Sequence, residues 1–472
     1  MNIFHEMMLD ISDVIWSYVL IALLIGLGLY FTVRTKFVQF RYFTEMFRLM
    51  GEKAEEKDGK KGVSAFQAFS ISVASRVGTG NLAGVAIAIA AGGPGSVFWM
   101  WIIALIGAGS AFVESTLGQI YKVKDKEGFR GGPAYYMEKG LGKRWMGVIF
   151  AILISISYGL VFNAVQANTV GLALDNAYGV NRTVVGVVLA ILTAVVIIGG
   201  VQRIAKMSSI IVPVMALIYI VVAMFVVLTN ITLVPEVLES IFMNAFGFRE
   251  AVAGGIGAAV MQGIKRGLFS NEAGMGSAPN AAATAHVSHP VKQGLIQTLG
   301  VFVDTLIICS ATAFMILFSD VQNQGDLTGI ELTQVALSQH IGSWATGFVA
   351  IAIFLFAFTS LIGNYYYGQT NLEFLKVSKT WMWVYRAAVI GMIMLGSVAT
   401  IQIVWDMADL FMGFMAILNL LAIALLGKIA FAALKDYTRQ KKQGLDPVFY
   451  AESIGVENTE CWDKETKNVK RG

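Results

Sequence analysis

Long apolar stretches without charged residues recur along almost the whole chain, and they limit the folds that it can adopt. Of the 472 residues, 56% are hydrophobic and only 14% are charged, whereas a typical soluble domain has about 25% charged residues. A helix needs roughly 20 consecutive apolar residues to cross the hydrocarbon core of a bilayer, and many of these stretches reach that length. The sequence therefore predicts an all-α polytopic membrane protein.

These stretches predict about eleven membrane-spanning helices. Their predicted ranges are 14–34, 63–91, 95–121, 146–174, 183–202, 207–230, 251–285, 293–318, 344–372, 387–404 and 408–430. We interpret the first as a retained helix and not a secretory signal, because no Lys or Arg precedes it and signal peptides begin with positive charge.

The distribution of basic residues predicts the orientation of the chain in the membrane. Lys and Arg are concentrated in every second connection, and basic loops remain in the cytoplasm. The basic connections comprise residues 34–61, 122–144, 203–206, 292 and 376–386. This alternation predicts an odd number of spans, with the N-terminus outside and the C-terminus in the cytoplasm.

Two of the predicted spans contain interruptions that an ordinary membrane helix avoids. They are residues 75–81 (SRVGTGN) and 265–276 (KRGLFSNEAGMG). Glycine weakens a helix by roughly 1 kcal/mol, and a charge at the middle of a membrane costs about 3 kcal/mol or more. Irregular backbone at this depth is tolerated only where it lines a cavity or is buried in protein.

The interruptions favour a site for a small zwitterionic ligand and a cation. The N-terminus of a half-helix attracts a carboxylate, and unwound carbonyl groups attract cations. Close helix packing is the alternative; it would explain the glycines at 254–257 but not the charges of Arg76 and Glu272. The interruptions begin two successive groups of five spans, and an odd repeat inverts the topology between the two halves.

Three motifs resemble those of the alanine or glycine:cation symporter family. They are Gly78–Asn81 (GTGN), Gly131–Pro133 (GGP) with Tyr135–Met137 (YYM), and Gly267–Gly274 (GLFSNEAG). The resemblance covers residues 14–430, and the last motif is the most specific. It implies a fold similar to LeuT-type transporters, with a five-plus-five inverted repeat after one extra N-terminal helix. It also implies sodium-driven uptake of alanine or glycine across a prokaryotic plasma membrane.

The resemblance divides the chain into three parts. Residues 1–61 would hold the extra helix and a cytoplasmic amphipathic segment, for whose C-terminal end a solvated linker is the alternative. Residues 62–430 would form the ten-helix transporter core, with one repeat at 62–230 and the other at 251–430. Residues 431–472 would form a polar cytoplasmic tail, which we expect to be partly disordered after Gly444.

The LeuT-type comparison implies a sodium site built from oxygen atoms, which suit this hard cation. Its ligands would be the carbonyl groups of Ala74, Val77 and Phe356 and the hydroxyl groups of Thr359 and Ser360. The alternative for both hydroxyls is a hydrogen bond to a carbonyl one turn earlier in their own helix. We expect one sodium ion, because Arg76 adds a positive charge near the position where some such carriers hold a second.

We expect the substrate to bind between the two interruptions. The N–H groups of Thr79 and Gly80 would bind its carboxylate, and carbonyl groups near Phe269 and Ser270 would bind its ammonium group. The ring of Phe269 would limit the substrate side chain to a hydrogen atom or a methyl group.

Other residues are expected to shape the same pocket. Asn271 and Gly274 belong to the second interruption, and Gln166 shares a helix face with Asn163. From the residues alone, Gln166 is as consistent with a bridge between two helices as with a substrate ligand, and the resemblance favours the ligand.

The charged residues inside the predicted spans also need partners. Glu272 either forms a cytoplasmic gate or a purely structural ion pair, and its candidate partners are Arg76, Lys265 and Arg266. We expect the carboxyl groups of Glu114 and Asp304 to be satisfied by neighbouring helices.

Enzyme chemistry and ATP-driven transport lack their usual motifs in this sequence. It contains no GxSxG, HExxH or P-loop pattern and no pair of histidines within a span. We therefore expect no catalytic residue, no nucleic-acid partner and no cofactor besides Na⁺ as the coupling ion. The partners would be the lipid bilayer and a small neutral amino acid, and coupling to protons is the alternative to sodium.

Overall fold

The computed structural model describes residues 3–52, 56–57, 60–61, 63–125, 128–248, 255–319, 321 and 327–462. Within these ranges the chain is predominantly helical, which confirms the predicted all-α class. Two short antiparallel hairpins interrupt the helices, Glu56–Lys57 with Lys60–Lys61 and Val123–Asp125 with Gly128–Arg130.

The N-terminal part forms one long helix followed by two short ones. Its helices are α1 (Ile3–Val14), α2 (Ile21–Arg34), α3 (Val38–Arg41) and α4 (Phe43–Met50), and a π-helical turn, Ile15–Leu20, joins the first two. On α4, Met46 and Leu49 are buried while Phe43 and Phe47 are exposed. Exposed aromatic rings on a short helix with basic residues are typical of a segment that lies along a membrane surface.

Residues 63–125 and 128–248, which include the first group of five predicted spans, form nine α-helices. They are α5 (Ala65–Arg76), α6 (Val85–Gly92), α7 (Gly95–Ile120), α8 (Pro133–Lys139), α9 (Arg144–Ile156), α10 (Asn163–Tyr178), α11 (Arg182–Ile197), α12 (Gly200–Thr229) and α13 (Val234–Ala245). π-Helical turns at Gly80–Gly84 and Ser157–Phe162 lead into α6 and α10, and a 3-10 turn, Ile231–Leu233, precedes α13.

The second group of five predicted spans also has a break after its first helix. Its helices are α14 (Gly255–Asn271), α15 (Ala278–Ala282), α16 (Pro290–Val301), α17 (Ser310–Leu317), α18 (Gly329–Ile341), α19 (Trp344–Phe374), α20 (Lys379–Val398) and α21 (Ile401–Lys442). A π-helical turn, Phe302–Cys309, joins α16 to α17, and a 3-10 turn, Ala451–Ile454, follows α21.

The number of membrane spans can be compared with the prediction of eleven. By length and composition, eight helices of the described chain can cross a membrane, or nine if α5 and Gly80–Gly92, bent by 49°, form one span. Two other predicted spans are helices that do not pass this test, because α11 has only 16 residues and α14 only 17. Eleven spans therefore remain a prediction.

The largest boundary error concerns the last two predicted spans, 387–404 and 408–430. The break between α20 and α21 lies at Ala399–Thr400, where the backbone is extended and Arg182 Nη2 donates to the Ala399 carbonyl at 2.7 Å. The prediction was wrong here because it placed the break at residues 405–407, around the charged Asp406, which lies inside α21. α20 also begins earlier and α21 ends later than predicted, in charged segments that an apolar window excludes, so α21 continues past residue 431, the predicted start of the tail.

Helices of the two groups of predicted spans pack against each other. α14 packs along α7, α10 packs against α19 and α20, and α5 packs against α12 and α19. Gly363 permits this last contact, because a Cβ atom there would lie 3.1 Å from the backbone nitrogen of Ser75. By contrast, a Cβ atom at Gly255 or Gly257 would meet no described atom within 4 Å. The packing interpretation therefore fails for these two glycines, and residues 251–254 lie outside the described residues.

Residues 444–462 fold back over one end of the bundle, which we call the tail face. The Phe449 N–H group donates to the Ser288 carbonyl at 2.9 Å, and Trp462 Nε1 donates to the Gln119 carbonyl at 3.0 Å. This part of the tail is packed, unlike the partial disorder expected after Gly444. Residues 463–472 lie outside the described residues.

Charge pairs also hold the tail to the bundle. Lys292 is only 2% exposed, and its ammonium group lies 3.0 Å from a Glu52 oxygen and 2.9 Å from Asp446 Oδ1. Lys139, on α8, pairs with Glu460. The tail face therefore brings together basic residues from two of the connections that the sequence predicts to be on one side of the membrane.

Truncation of Phe449 tests how the tail is held. Its ring packs between His289 and Trp462, with centroid distances of 5.2 and 5.3 Å. We expect Phe449→Ala to weaken docking of the tail by about 3 kcal/mol and to speed its cleavage by a soluble protease. Leu445→Ala is the control, because Leu445 is exposed. Equal cleavage rates in the two variants would mean that the Phe449 ring does not hold the tail.

Candidate functional site

The first interruption lies where α5 ends at Arg76. Val77 is extended, and the helix resumes with the π-helical turn that begins at Gly80. Side chains replace the missing backbone acceptors: Gly78 N–H donates to Asn81 Oδ1 at 2.9 Å, and Thr79 N–H donates to Gln166 Oε1 at 3.0 Å. The N-terminus of the second half-helix is therefore capped by two amide side chains.

The carbonyl groups at the end of α5 converge on α19. Because Gly78 N–H is turned toward Asn81, the Ala74 carbonyl lacks its usual helical donor. The Ser360 hydroxyl lies 2.9 Å from the Ala74 carbonyl oxygen and 3.3 Å from that of Val77. It is also 3.1 Å from the Phe356 carbonyl oxygen.

All five predicted sodium ligands therefore lie together, since Thr359 Oγ1 is 2.9 Å from the same Phe356 carbonyl. Their chemistry fits a sodium ion, because one hydroxyl proton cannot satisfy three carbonyl oxygens at once, whereas a hard cation can contact all of them. Intrahelical bonding accounts for the contacts with Phe356 but not for those with Ala74 and Val77. A Cβ atom on Gly78 would lie 2.4 Å from Ser360 Oγ, so only glycine allows this approach.

Five of the predicted substrate residues also meet around the first interruption. Gln166 Oε1 accepts from both the N–H group and the hydroxyl of Thr79, at 3.0 and 2.8 Å. A Cβ atom on Gly80 would lie 3.1 Å from Phe269 Cδ1 and from Ser270 Cα, so these backbones are in direct contact. Gln166 thus bridges two helices here, with its oxygen where a carboxylate oxygen would accept the same bonds.

Two aromatic residues that the sequence analysis missed surround Phe269. Its ring centroid lies 4.9 Å from that of Phe162 and 4.7 Å from that of Trp405. An aromatic residue within an apolar span is usually part of the core, so nothing in the local sequence distinguished these two. Together they restrict the space beside Gly80.

The second interruption is a tight turn after α14. Glu272, Gly274 and Gly276 all have positive φ angles, of 58°, 87° and 85°. The Glu114 carboxylate accepts from the N–H groups of Gly274 and Gly276 at 3.1 and 3.0 Å. Glu114 is therefore satisfied by a neighbouring element, as predicted, and it supplies the acceptors that the broken helix lacks.

The GGP and YYM motifs support this turn from the tail face. Tyr136 donates to the Asn419 side-chain oxygen, and Asn419 Nδ2 donates to Glu114 at 2.8 Å and to the Gly274 carbonyl at 2.9 Å. A Cβ atom on Gly132 would lie 2.4 Å from Asn280 Oδ1, so glycine is required there.

Asn271 and Gly274 serve the turn itself. Asn271 Oδ1 accepts from the Ala273 N–H group at 3.0 Å, and Gly274 N–H is bonded to Glu114. Across the described ranges, no hydrogen bond joins either residue to Thr79, Gly80 or Gln166. Their role in the pocket remains a prediction.

The buried basic residues of α14 have a different partner from the one expected. Arg266 Nη2 lies 2.7 Å and Lys265 Nζ 3.7 Å from Asp409 Oδ2 on α21. The prediction that either of them pairs with Glu272 was wrong, because Asp409 lies closer to both side chains. Arg266 also lies 4.6 Å above the Trp405 ring.

The remaining charged groups are satisfied by hydrogen bonds. Glu272 lies 2.8 Å from Ser75 Oγ and accepts from Ser277 Oγ at 2.6 Å. Asp304 accepts from Asn81 Nδ2 at 2.7 Å and from Ser270 Oγ at 2.8 Å, as expected for a carboxyl group satisfied by neighbouring helices.

Comparison with known proteins assigns this chain to a family. The model of the family described as the sodium:alanine symporter family matches residues 1–451. The amino-acid carrier protein AlsT of Bacillus subtilis (strain 168) is 62% identical over 99% of this chain and 100% of its own length. The probable sodium/glutamine symporter GlnT of the same organism is 61% identical over 96% of this chain and 94% of its own length.

A solved structure shares the fold at low sequence identity. A manganese transporter of Eremococcus coleocola has a TM-score of 0.52 and 12% identity, over 87% of this chain and 84% of that one. At this identity the likeness concerns the fold alone.

Removal of Asp409 tests the buried ion pair. Asp409→Ala leaves two buried cations without a carboxylate, and we expect it to lower the free energy of unfolding by about 3–5 kcal/mol. Asp406→Ala is the matched control: it lies one turn earlier on α21 and pairs with the partly exposed His5 at 2.9 Å, so its loss should cost about 1 kcal/mol or less. Thermal unfolding in detergent measures both, and equal stabilities would contradict the assignment.

Proposed function

Because the chain belongs to the sodium:alanine symporter family, it is a multi-pass membrane transporter of LeuT-type fold and not an enzyme, and we propose that it imports alanine and glycine together with sodium. The observation that carries this proposal is the convergence of five oxygen atoms from α5 and α19 directly beside the capped half-helix. A cation site and a carboxylate site would then share the residues 74–80.

Sodium binding is supported by the composition of the oxygen cluster. The carbonyl groups of Ala74, Val77 and Phe356 and the hydroxyl groups of Thr359 and Ser360 are neutral ligands, which suit a monovalent hard cation. The ligands come from both predicted repeats, since residues 74–77 lie at the start of the first interruption and residues 356–360 lie on α19. Binding of the ion would therefore draw α5 and α19 together.

The substrate carboxylate is proposed to take the position that Gln166 Oε1 occupies. It would accept from the Thr79 and Gly80 N–H groups, because the N-terminus of a half-helix favours a negative charge. Gln166 would then turn its amide toward the substrate, and carbonyl groups near Phe269 and Ser270 would accept from the ammonium group. Asn271 and Gly274 would hold that segment in place from the adjoining turn.

Small substrates are favoured by the aromatic residues around Phe269. The Phe269 ring is held between Phe162 and Trp405, so it has little room to move away from a longer side chain. Alanine and glycine leave the ring undisturbed. A relative named as a probable sodium/glutamine symporter makes glutamine the informative larger competitor.

We propose that the tail face is cytoplasmic and that the protein lies in a prokaryotic plasma membrane. Basic residues from two connections contact the tail or its neighbours on this face: Lys122 and Lys139 from one, and Lys292 from the other. The positive-inside rule assigns such a face to the cytoplasm. The N-terminus would then lie outside.

Removal of the Ser360 hydroxyl tests the sodium site. Labelled alanine uptake into proteoliposomes is measured at fixed pH against external sodium, with potassium replacing it. If the Ser360 hydroxyl contributes about 1.4 kcal/mol to the free energy of sodium binding, Ser360→Ala should raise the sodium concentration for half-maximal uptake about tenfold. The double variant Thr359→Ala/Ser360→Ala should abolish the sodium dependence. Ser338→Ala is the control, because its hydroxyl bonds only to its own helix.

The alternative of pure proton coupling predicts a different result in the same experiment. Uptake that continues without sodium and follows a pH gradient would leave the fold in place and contradict the sodium site. Unchanged sodium dependence in the double variant would also contradict it.

Substitutions at Thr79 and Gln166 test the substrate site. Thr79→Val removes one donor and Gln166→Ala removes the amide, and each should raise the alanine concentration for half-maximal uptake about tenfold, the effect of one hydrogen bond to a charged group. In the unsubstituted protein, excess glycine should block alanine uptake more strongly than glutamine. Unchanged alanine affinity in both variants would mean that the substrate binds elsewhere.

A further inference from the structure

A chain of buried polar side chains links the two interruptions through α19. Glu272 Oε1 lies 2.8 Å from Ser75 Oγ, which lies 2.8 Å from Asn364 Oδ1. Asn364 Nδ2 in turn lies 3.1 Å from Asn163 Oδ1, and Asn163 Nδ2 lies 3.1 Å from the Gly159 carbonyl oxygen. Each of these four side chains is at most 5% exposed.

The direction of the hydrogen bonds is set at the far end of this chain. The Gly159 carbonyl oxygen can only accept, so the amide nitrogen of Asn163 must face it. The Asn163 oxygen then faces Asn364, and the nitrogen of Asn364 must donate to it. Consequently the oxygen of Asn364 faces Ser75, and it too can only accept.

Proton counting at Ser75 completes the argument. Its hydroxyl has one proton, which it donates to Asn364, so the remaining contact with Glu272 at 2.8 Å needs a proton from Glu272. Two buried oxygen atoms at that distance with no proton between them would repel each other. We propose that Glu272 carries a proton on Oε1 and is a proton-binding site of this carrier, an inference that rests on the proposed function for its role in transport.

The other oxygen of Glu272 is consistent with a neutral carboxyl group. Glu272 Oε2 accepts from the Ser277 hydroxyl at 2.6 Å, so the group donates once and accepts once. Glu114 provides the contrast, because its described partners are the N–H groups of Gly274 and Gly276 and the Asn419 amide, which all donate. Those partners suit a carboxylate without a proton.

The charged and titratable neighbours of Glu272 come from every element around it. They are Arg76 on α5, Tyr158 in the turn before α10, Asp304 in the turn after α16 and Tyr367 on α19. Arg76 is buried and donates to the Gln297 carbonyl at 3.1 Å. No described carboxylate oxygen lies within 4.0 Å of its guanidinium group, so Glu272 has no direct ion pair that would keep it charged.

Charge balance agrees with a neutral Glu272. Arg76 interacts electrostatically with three buried carboxyl groups, those of Glu114, Glu272 and Asp304. With Glu272 neutral, this group has one excess negative charge, and a single sodium ion would neutralise it. A second uncompensated charge at membrane depth would be strongly unfavourable.

The proton site also shares its helices with the proposed sodium site. Ser75 follows Ala74 in α5, and Asn364 lies one helical turn after Ser360 on α19. Without the proton, the Ser75 hydroxyl must turn to Glu272 and the bond between Ser75 and Asn364 is lost. Separation of α5 from α19 would therefore release both ions, and the proton would travel inward with alanine.

The experiment measures internal pH during alanine uptake. Proteoliposomes contain a pH-sensitive dye and equal sodium on both sides, with the membrane potential held at zero by potassium and valinomycin. We expect external alanine to acidify the interior with the wild-type carrier, whereas Glu272→Gln imports alanine with acidification no greater than in protein-free vesicles. Glu236→Gln, a change at an exposed carboxyl group on α13, is the control and should behave like wild type.

Infrared spectroscopy of the purified protein tests protonation without transport. At neutral pH the wild-type protein should show the carbonyl band of a protonated carboxyl group, which Glu272→Gln removes and Glu236→Gln leaves in place. Acidification by Glu272→Gln equal to wild type, alanine uptake by wild type without acidification, or an infrared band that survives the substitution would each overturn the proposal. So would failure of Glu272→Gln to fold, because its amide can make the hydrogen bonds of the protonated carboxyl. Absence of alanine uptake with the infrared band intact would instead overturn the proposed function.

Discussion

Every backbone N–H and carbonyl group at membrane depth needs a partner inside the protein, and this requirement governs the centre of the molecule. The two interruptions release such groups from helical bonding. Side chains take up most of them: Asn81 and Gln166 accept from the first half-helix, and Glu114 accepts from the turn after α14. Among the described side chains, the donor that reaches the carbonyl groups of Ala74 and Val77 is the single hydroxyl of Ser360. The proposed ion site is the part of this arrangement that protein donors satisfy least.

The second interruption shows how much of the fold supports that centre. Glu272 has a left-handed backbone conformation, which costs a residue other than glycine about 1–2 kcal/mol. Glycine at this position would remove the strain but also the carboxyl group between Ser75 and Ser277. Glu114, Asn419 and Tyr136 compensate by fixing the rest of the turn from α7, α21 and α8. The strained position is maintained by bonds from elements distant in the sequence.

Much of this centre could be predicted from the sequence, because its departures from helical pattern are local. Charges and glycines inside an apolar stretch identified both interruptions, and the five oxygen atoms implied by the family resemblance do converge. The partners of the charged residues could not be predicted in the same way. Arg266 and Asp409 are 143 positions apart, and Ser75 and Asn364 are 289 apart. No local pattern relates such residues, so the predicted partners of Glu272 were the basic residues of the two interruptions, Arg76, Lys265 and Arg266.

Contacts between residues that are far apart in the sequence also explain why ion binding at this centre can act on the whole bundle. α5 lies in the first group of predicted spans and α19 in the second, and in the described part of the chain two side chains of α19 bond to α5 or Val77 near the interruption. Ser360 reaches the carbonyl groups of α5, and Asn364 reaches Ser75. The contact of Ser360 depends on whether a sodium ion shares the same carbonyl oxygens. The contact of Asn364 with Ser75 depends on the proton of Glu272. Because both lie on one face of α19, an ion that strengthens either contact holds the other in place. Sodium and proton binding would thus be coupled through helix position, with no need for direct contact between the two ions.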